Sequence, residues 1–279
     1  MPTMPNGVAR RTRSAPYPGI FTTLRYVMRP ETQTFAFSVA TMSVLAFFPF
    51  MIVLIMVIRQ GIESSAMYEV LLQILRDHLP IGQDFVIRAL SSLVTAHRQT
   101  EILSLLLLFL TARMVFVPME VALNRIWGFE RSRSWLHNQV AGIGLILLCG
   151  ALAVLSVGIT AVNQYVIEQA MGGHRKPMAR LGAFLAMKLV ATAASVAIFF
   201  LIYWLVPNGK ISARRVFPVA LWFGILWELM KYGYIVLLPH MNFQAIYGPF
   251  AASVALIFWG YFSGLLLLSG AFISAGVRT

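Results

Sequence analysis

An all-α, polytopic membrane helix bundle of about six transmembrane helices, with extra amphipathic helices at its rims, is the fold that this 279-residue sequence predicts. Three observations carry the prediction. Hydrophobic residues make up 59% of the chain and charged residues 11%, against roughly a quarter charged in soluble domains. Uncharged or nearly uncharged runs of twenty or more residues recur along it, and a helix of that length crosses about 30 Å of hydrocarbon. The short alternating segments of a membrane β-barrel are absent.

Residues 1–18 carry Arg10, Arg11 and Arg13 among prolines and read as a disordered basic tail; residues 19–279 read as one membrane domain. Between Gly19 and Met28, Ile20, Phe21, Leu24, Val27 and Met28 recur at helical spacing, with Arg25 and Arg29 four apart. That pattern is an amphipathic helix, either lying on the inner membrane surface or packed on the bundle. The first span, about 35–58, is uncharged and contains Pro49, which removes a backbone donor and predicts a kink. No cleavage signature accompanies this run, which is also too long for a signal-peptide core, so it is read as a retained span.

Two amphipathic stripes flank Pro80: Met67, Val70, Leu71, Ile74 and Leu75, then Val86, Leu90, Leu93 and Val94. Both are too short to span and predict interfacial or cap helices. The remaining spans fall at about 102–123, 140–162, 181–206, 216–238 and 250–275, the fourth closed by the turn signal Pro207-Asn208-Gly209.

A net charge of +12 raises the question of nucleic acid. The basic residues instead sit in short segments between apolar runs, as the positive-inside bias places them, and no nucleic-acid partner is expected. With the N-terminus inside, the inner segments hold twelve Lys and Arg and the outer ones seven. Both termini are therefore expected on the cytoplasmic side of a bacterial inner membrane. The single cysteine, Cys149, allows no intrachain disulfide and no cysteine metal site.

Five ionisable residues lie within the spans: Arg113 and Glu120 on the second, Lys188 on the fourth, Glu228 and Lys231 on the fifth. Each is costly against lipid, so each should face a cavity, a partner charge or the bundle interior. Together they are the candidate substrate pathway. Glu228 and Lys231, three apart, share a helix face and can pair. Glu120 and Lys188 lie near span ends, where snorkelling to the headgroups is the expected behaviour. On the sixth span, Gly260 and Gly264 form a small-residue seam for another helix or a second copy of the chain. Tyr26, Trp127, Trp135, Tyr203, Trp204 and Tyr247 read as an interfacial aromatic belt.

Catalytic signatures are missing. There is no zinc-protease helix, Walker loop, nucleophile elbow or dinucleotide fingerprint, and the five histidines are scattered without carboxylates at ligand spacing. Neither a metal nor a cofactor is expected, and the chain is not expected to be an enzyme.

Several blocks nonetheless recur in a recognisable order. They are Ala122-Leu123-Asn124-Arg125-Ile126-Trp127, Tyr203-Trp204-Leu205-Val206-Pro207-Asn208, Trp222-Phe223-Gly224-Ile225-Leu226-Trp227-Glu228, Tyr247-Gly248-Pro249, Phe258-Trp259-Gly260-Tyr261 and Leu267-Leu268-Ser269-Gly270-Ala271, with Phe47-Phe48-Pro49 earlier. The set resembles the YihY/BrkB family of bacterial inner-membrane proteins over about residues 20–276. The resemblance implies six spans, an envelope role and motif positions at Pro49, Asn124, Pro207, Tyr247, Gly248, Trp259 and Gly270. It also implies an acidic residue after the final Gly-Ala, where this chain has Phe272. A ribonuclease BN label carried by some family members has no support here, since no His/Asp metal cluster or basic groove can be read. Two functions are expected in order: a transporter or flippase-like protein for a small or lipidic, anionic solute, and a non-transporting envelope scaffold. Membrane lipids are the partner common to both.

Overall fold

A computed structural model describes residues 18–78, 98–129, 135–171 and 177–276. Among these residues there are helices and connecting turns but no strand. The tail expected over residues 1–18 falls almost wholly outside the described residues, and the second amphipathic stripe (86–94) falls entirely outside them.

A short helix, α1 (Ile20–Val27), leads into α2 (Pro30–Met56), which starts on a proline whose missing N–H costs nothing at a helix start. Pro49 is buried inside α2 and does not end it; the helix runs on and then widens into a π turn over Val57–Gly61. Helix α3 (Ser65–His78) buries Val70 and Leu71 against Ile55, Ile58 and Val157, so the first amphipathic stripe is a cap on the bundle end. Long antiparallel helices follow: α4 (Arg98–Trp127), α5 (Trp135–Met171), α6 (Pro177–Leu205) and α7 (Ala213–Leu237). A one-turn helix, α8 (Phe243–Tyr247), and the Gly248 turn then reverse the chain into α9 (Ala251–Ala275). Gly248 holds φ +51°, a conformation that glycine adopts without a Cβ clash.

Among the described residues, six stretches are long and apolar enough to cross a membrane: Pro30–Gly61, Leu105–Trp127, Val140–Ile159, Lys188–Leu205, Ala213–Leu237 and Ser253–Ala275. They match the predicted spans to within a few residues at most ends. The second differs in a way that matters, because its helix continues to Trp127, four residues beyond the expected end. Large apolar side chains such as Leu147, Leu189, Trp222 and Val236 are exposed on the outside of the bundle, as a lipid-facing surface requires.

Lipid tails remove most of the hydrophobic drive between helices, so contact follows small residues and hydrogen bonds. Helix α9 shows both. Gly260 and Gly264 meet Ala40 and Ala36 of α2 so closely that a Cβ on either glycine would stand 3.1 Å from α2 backbone atoms. The small-residue seam is thus filled by α2 of the same chain, and a second copy would have to meet another face. Along its other side, α9 accepts or makes four hydrogen bonds. Tyr234 donates to the Ala255 carbonyl at 2.7 Å, the Trp227 indole to Ser263 at 3.0 Å, Tyr203 to the Leu267 carbonyl at 2.9 Å, and Arg215 to the Ala275 carbonyl at 2.7 Å. At 1.5 Å per residue these rungs run about 30 Å, the depth of the hydrocarbon. Arg215 also places its cation at the negative C-terminal end of α9, a favourable position for it.

The aromatic belt needs correcting at two positions: Tyr203 is completely buried, and Trp127 is buried in the same core. Tyr26 is half-buried and stacks on Phe272 with centroids 4.2 Å apart. Trp204 and Tyr247 remain exposed; the Trp135 side chain lies outside the described residues.

Candidate functional site within the bundle

The start of α2, the end of α4, the 206–212 turn, the start of α7 and the end of α9 share one face of the bundle, here the N-terminal face. The other helix ends form the opposite face. The candidate pathway residues divide between the two halves.

Toward the opposite face lies a charged cluster on α6 and α7. Glu228 is buried, and its carboxylate accepts the Ser195 hydroxyl at 2.6 Å on one oxygen and the Lys231 ammonium at 2.6 Å on the other. The pairing expected from the spacing is present. Lys231 also stands over the Trp227 ring at 5.3 Å and the Tyr232 ring at 5.6 Å, so aromatic faces supplement the carboxylate. From α6, Lys188 donates to the Tyr232 hydroxyl and lies 4.3 Å from that ring's centroid. Lys188 lies eleven residues inside the start of α6, and Ser195 is two turns further along, about 10 Å on the axis. The cluster therefore spans about two turns of α6.

The backbone approach that brings α6 to α7 is set by Gly224. A Cβ there would lie 2.8 Å from the Val196 Cα, beside Ser195. Trp227 completes the wall: it bonds Ser263 and packs on Trp259, which also contacts Tyr234.

Glu120 is not in that cluster. It is only 2% exposed, seven residues inside the end of α4, and does not snorkel. The four extra residues of α4 are the reason, since they put Glu120 about 10 Å below the helix end instead of about 5 Å. Its partner is Asn124, whose amide donates to it at 3.5 Å while the Asn124 carbonyl oxygen accepts the Asn208 backbone N–H at 2.7 Å. A polar knot therefore ties α4 to the turn after α6, next to buried Pro207. Outside it, Arg125 pairs with Glu31 at 2.8 Å on the exposed rim. Arg113 lies at mid-depth on the Glu120 stripe of α4; its side chain falls outside the described residues.

Ser195 and Tyr232 were not among the sequence candidates. Ser195 is seven residues from Lys188, hence on the same stripe of α6, and Tyr232 follows Glu228 by four; both spacings were readable. Among the described residues, no three His, Cys, Asp or Glu side chains converge as a metal site.

With the geometry in place, comparison with known proteins decides the family. The family model described as Virulence factor BrkB matches residues 23–279. The chain belongs to the BrkB family. Curated relatives that the chain resembles include proteins named UPF0761 membrane protein. One from Pseudoalteromonas translucida is 28% identical over 203 residues, covering 71% of this chain and 64% of that protein. One from Alteromonas mediterranea is 28% identical over 199 residues, 69% and 64%. One from Pseudomonas paraeruginosa is 31% identical over 206 residues, 71% and 47%. The match thus spans less than two thirds of each of these BrkB relatives. No solved structure matches the chain.

Four of the seven motif positions that the resemblance implies take part in the contacts described above. Asn124 and Pro207 meet at the polar knot, Gly270 receives Tyr203, and Trp259 backs Trp227. Where the family resemblance implies an acid, Phe272 instead stacks on Tyr26.

Proposed function

We propose that this BrkB-family protein is a transporter of flippase type in the bacterial inner membrane, moving a small or lipidic anionic solute, with both termini cytoplasmic. The observation that carries the reading is the Glu228–Lys231 pair, 2.6 Å apart within an apolar span and supported by Ser195. Ionisable groups at that depth are costly and as a rule mark a solute or ion path. Lys188 with the Glu228 cluster, Arg113 at mid-depth and Glu120 toward the other face give polar groups at successive depths. The excess of Lys and Arg on the N-terminal face supports its cytoplasmic placement.

The second reading, a non-transporting envelope scaffold, is favoured by the four hydrogen bonds that lock α9 along its length. Proteoliposomes carrying phosphatidylglycerol with a headgroup dye separate the two. Wild type should move the lipid between leaflets faster than empty vesicles, as read by dithionite bleaching, and Glu228→Gln and Arg113→Ala should slow it. Wild-type rates equal to those of empty vesicles, across anionic lipids and small anions, would leave the scaffold. Reporter fusions at the two termini test the orientation.

A further inference from the structure

None of the eight residues of α1 is buried. Ile20 is 86% exposed, Phe21 89%, Leu24 55% and Met28 67%, an apolar surface that water would penalise. At 100° per residue these four fall in one arc, with Arg25 on its border and Arg29 following at the junction with α2. Thr23, Tyr26 and Val27 turn toward the bundle.

The roll of α1 is fixed by contacts on that inner side. The Tyr26 and Phe272 rings are stacked within 2° of parallel, and the Arg29 guanidinium lies 5.9 Å from the Tyr26 centroid. Its distance from the membrane is fixed by chain length. Met28 and Arg29 alone separate α1 from the span that begins at Pro30, and two residues reach about 7 Å. Helix α1 is therefore held at the headgroup layer, and its apolar arc continues the exposed surface of α2 at Phe37 and Leu45.

We infer that α1 is an interfacial binding surface for acidic phospholipid, with Ile20, Phe21, Leu24 and Met28 entering the acyl boundary and Arg25 and Arg29 engaging anionic headgroups. The charges and the tether choose the occupant. An acidic leaflet meets the Arg25 and Arg29 cations at the level where the junction holds the helix, and the exposed apolar arc beside them suits the acyl boundary. Arg10, Arg11 and Arg13 add to the same sign in the preceding sequence.

The test uses the full chain with Cys149→Ser, an environment-sensitive dye on Phe21→Cys, and a control label on Thr23→Cys. The protein is reconstituted in phosphatidylcholine vesicles with and without phosphatidylglycerol. The Phe21 label should be blue-shifted and quenched by lipid-borne nitroxide, more strongly when acidic lipid is present. Arg25→Ala/Arg29→Ala should weaken that acidic-lipid dependence, each arginine contributing roughly fivefold. Three outcomes would overturn the inference. One is a label open to aqueous iodide in both membranes. Another is shielding that ignores lipid charge. The last is energy transfer between labelled copies, which would make a second chain the cover. Circular dichroism and elution volume confirm that each variant is folded.

Discussion

Tyr203 donates its phenol hydrogen to the Leu267 carbonyl at 2.9 Å, across a gap in α9 that exists because residue 270 is glycine. A Cβ at that position would collide with the Tyr203 hydroxyl and lie 2.8 Å from the Phe223 ring. Gly270→Ala should therefore destabilise by about 1–3 kcal/mol through overpacking. Tyr203→Phe removes the bond alone and should cost about 0.6 kcal/mol, the average for polar contacts between membrane helices. Thermal unfolding of the purified protein in one detergent ranks the two; equal losses would mean that the hydroxyl, not the space, is decisive.

Helices α6 and α7 make the same kind of contact at Gly224, where a Cβ would press on the Val196 backbone, which cannot swing aside. Gly224→Ala should lower the melting temperature and separate Ser195 from Glu228. Gly144→Ala is the control, because nothing lies within 4 Å of its Cβ position. That change should be neutral or stabilising by up to about 1 kcal/mol from helix propensity. A pair of equal effects would argue against close α6–α7 packing.

The Glu228–Lys231 pair predicts a sign pattern. Lys231→Met leaves a buried carboxylate with Ser195 as its one remaining partner and should cost about 3 kcal/mol. Glu228→Gln/Lys231→Met removes both charges and should be closer to wild type than Lys231→Met. A double-mutant cycle of unfolding free energies measures this, and additive losses would show that the two side chains do not interact.

Asn124 uses both ends of its amide, one on Glu120 and one on the Asn208 N–H. Asn124→Ala should loosen the 206–212 turn and cost about 1–3 kcal/mol for the buried groups left unmatched. Asn124→Asp should be worse despite its similar shape, because it sets a second carboxylate beside Glu120. Protease cleavage within 206–212 should rise in the order wild type, Ala, Asp; unchanged cleavage in both would mean that the knot does not hold the turn.

Span number, most span ends and the Glu228–Lys231 pairing were legible because each depends on local sequence: run length, turn residues and helical periodicity. The partners across helices were not. Ser195 and Glu228 are 33 residues apart, Asn124 and Asn208 are 84, and nothing in a helix that is apolar all round says which side faces inward. Glu120 was misplaced for a related reason. The polar look of Asn124-Arg125 suggests a span end, whereas the helix carries those residues to Trp127 and draws Glu120 inward. Tyr203 likewise looks interfacial by its distance from Pro207 and is buried because Gly270 admits it.

The contact of Gly260 and Gly264 with Ala40 and Ala36 joins the earliest of the six spans to the latest. As the ribosome delivers the chain, α2 enters the bilayer long before its counterpart is made. Its alanine stripe must wait, covered by lipid or by an insertion chaperone, until 251–275 emerges. Assembly is then closed by α9, and a chain halted after α7 presents membrane proteases with an open groove where its final helix belongs.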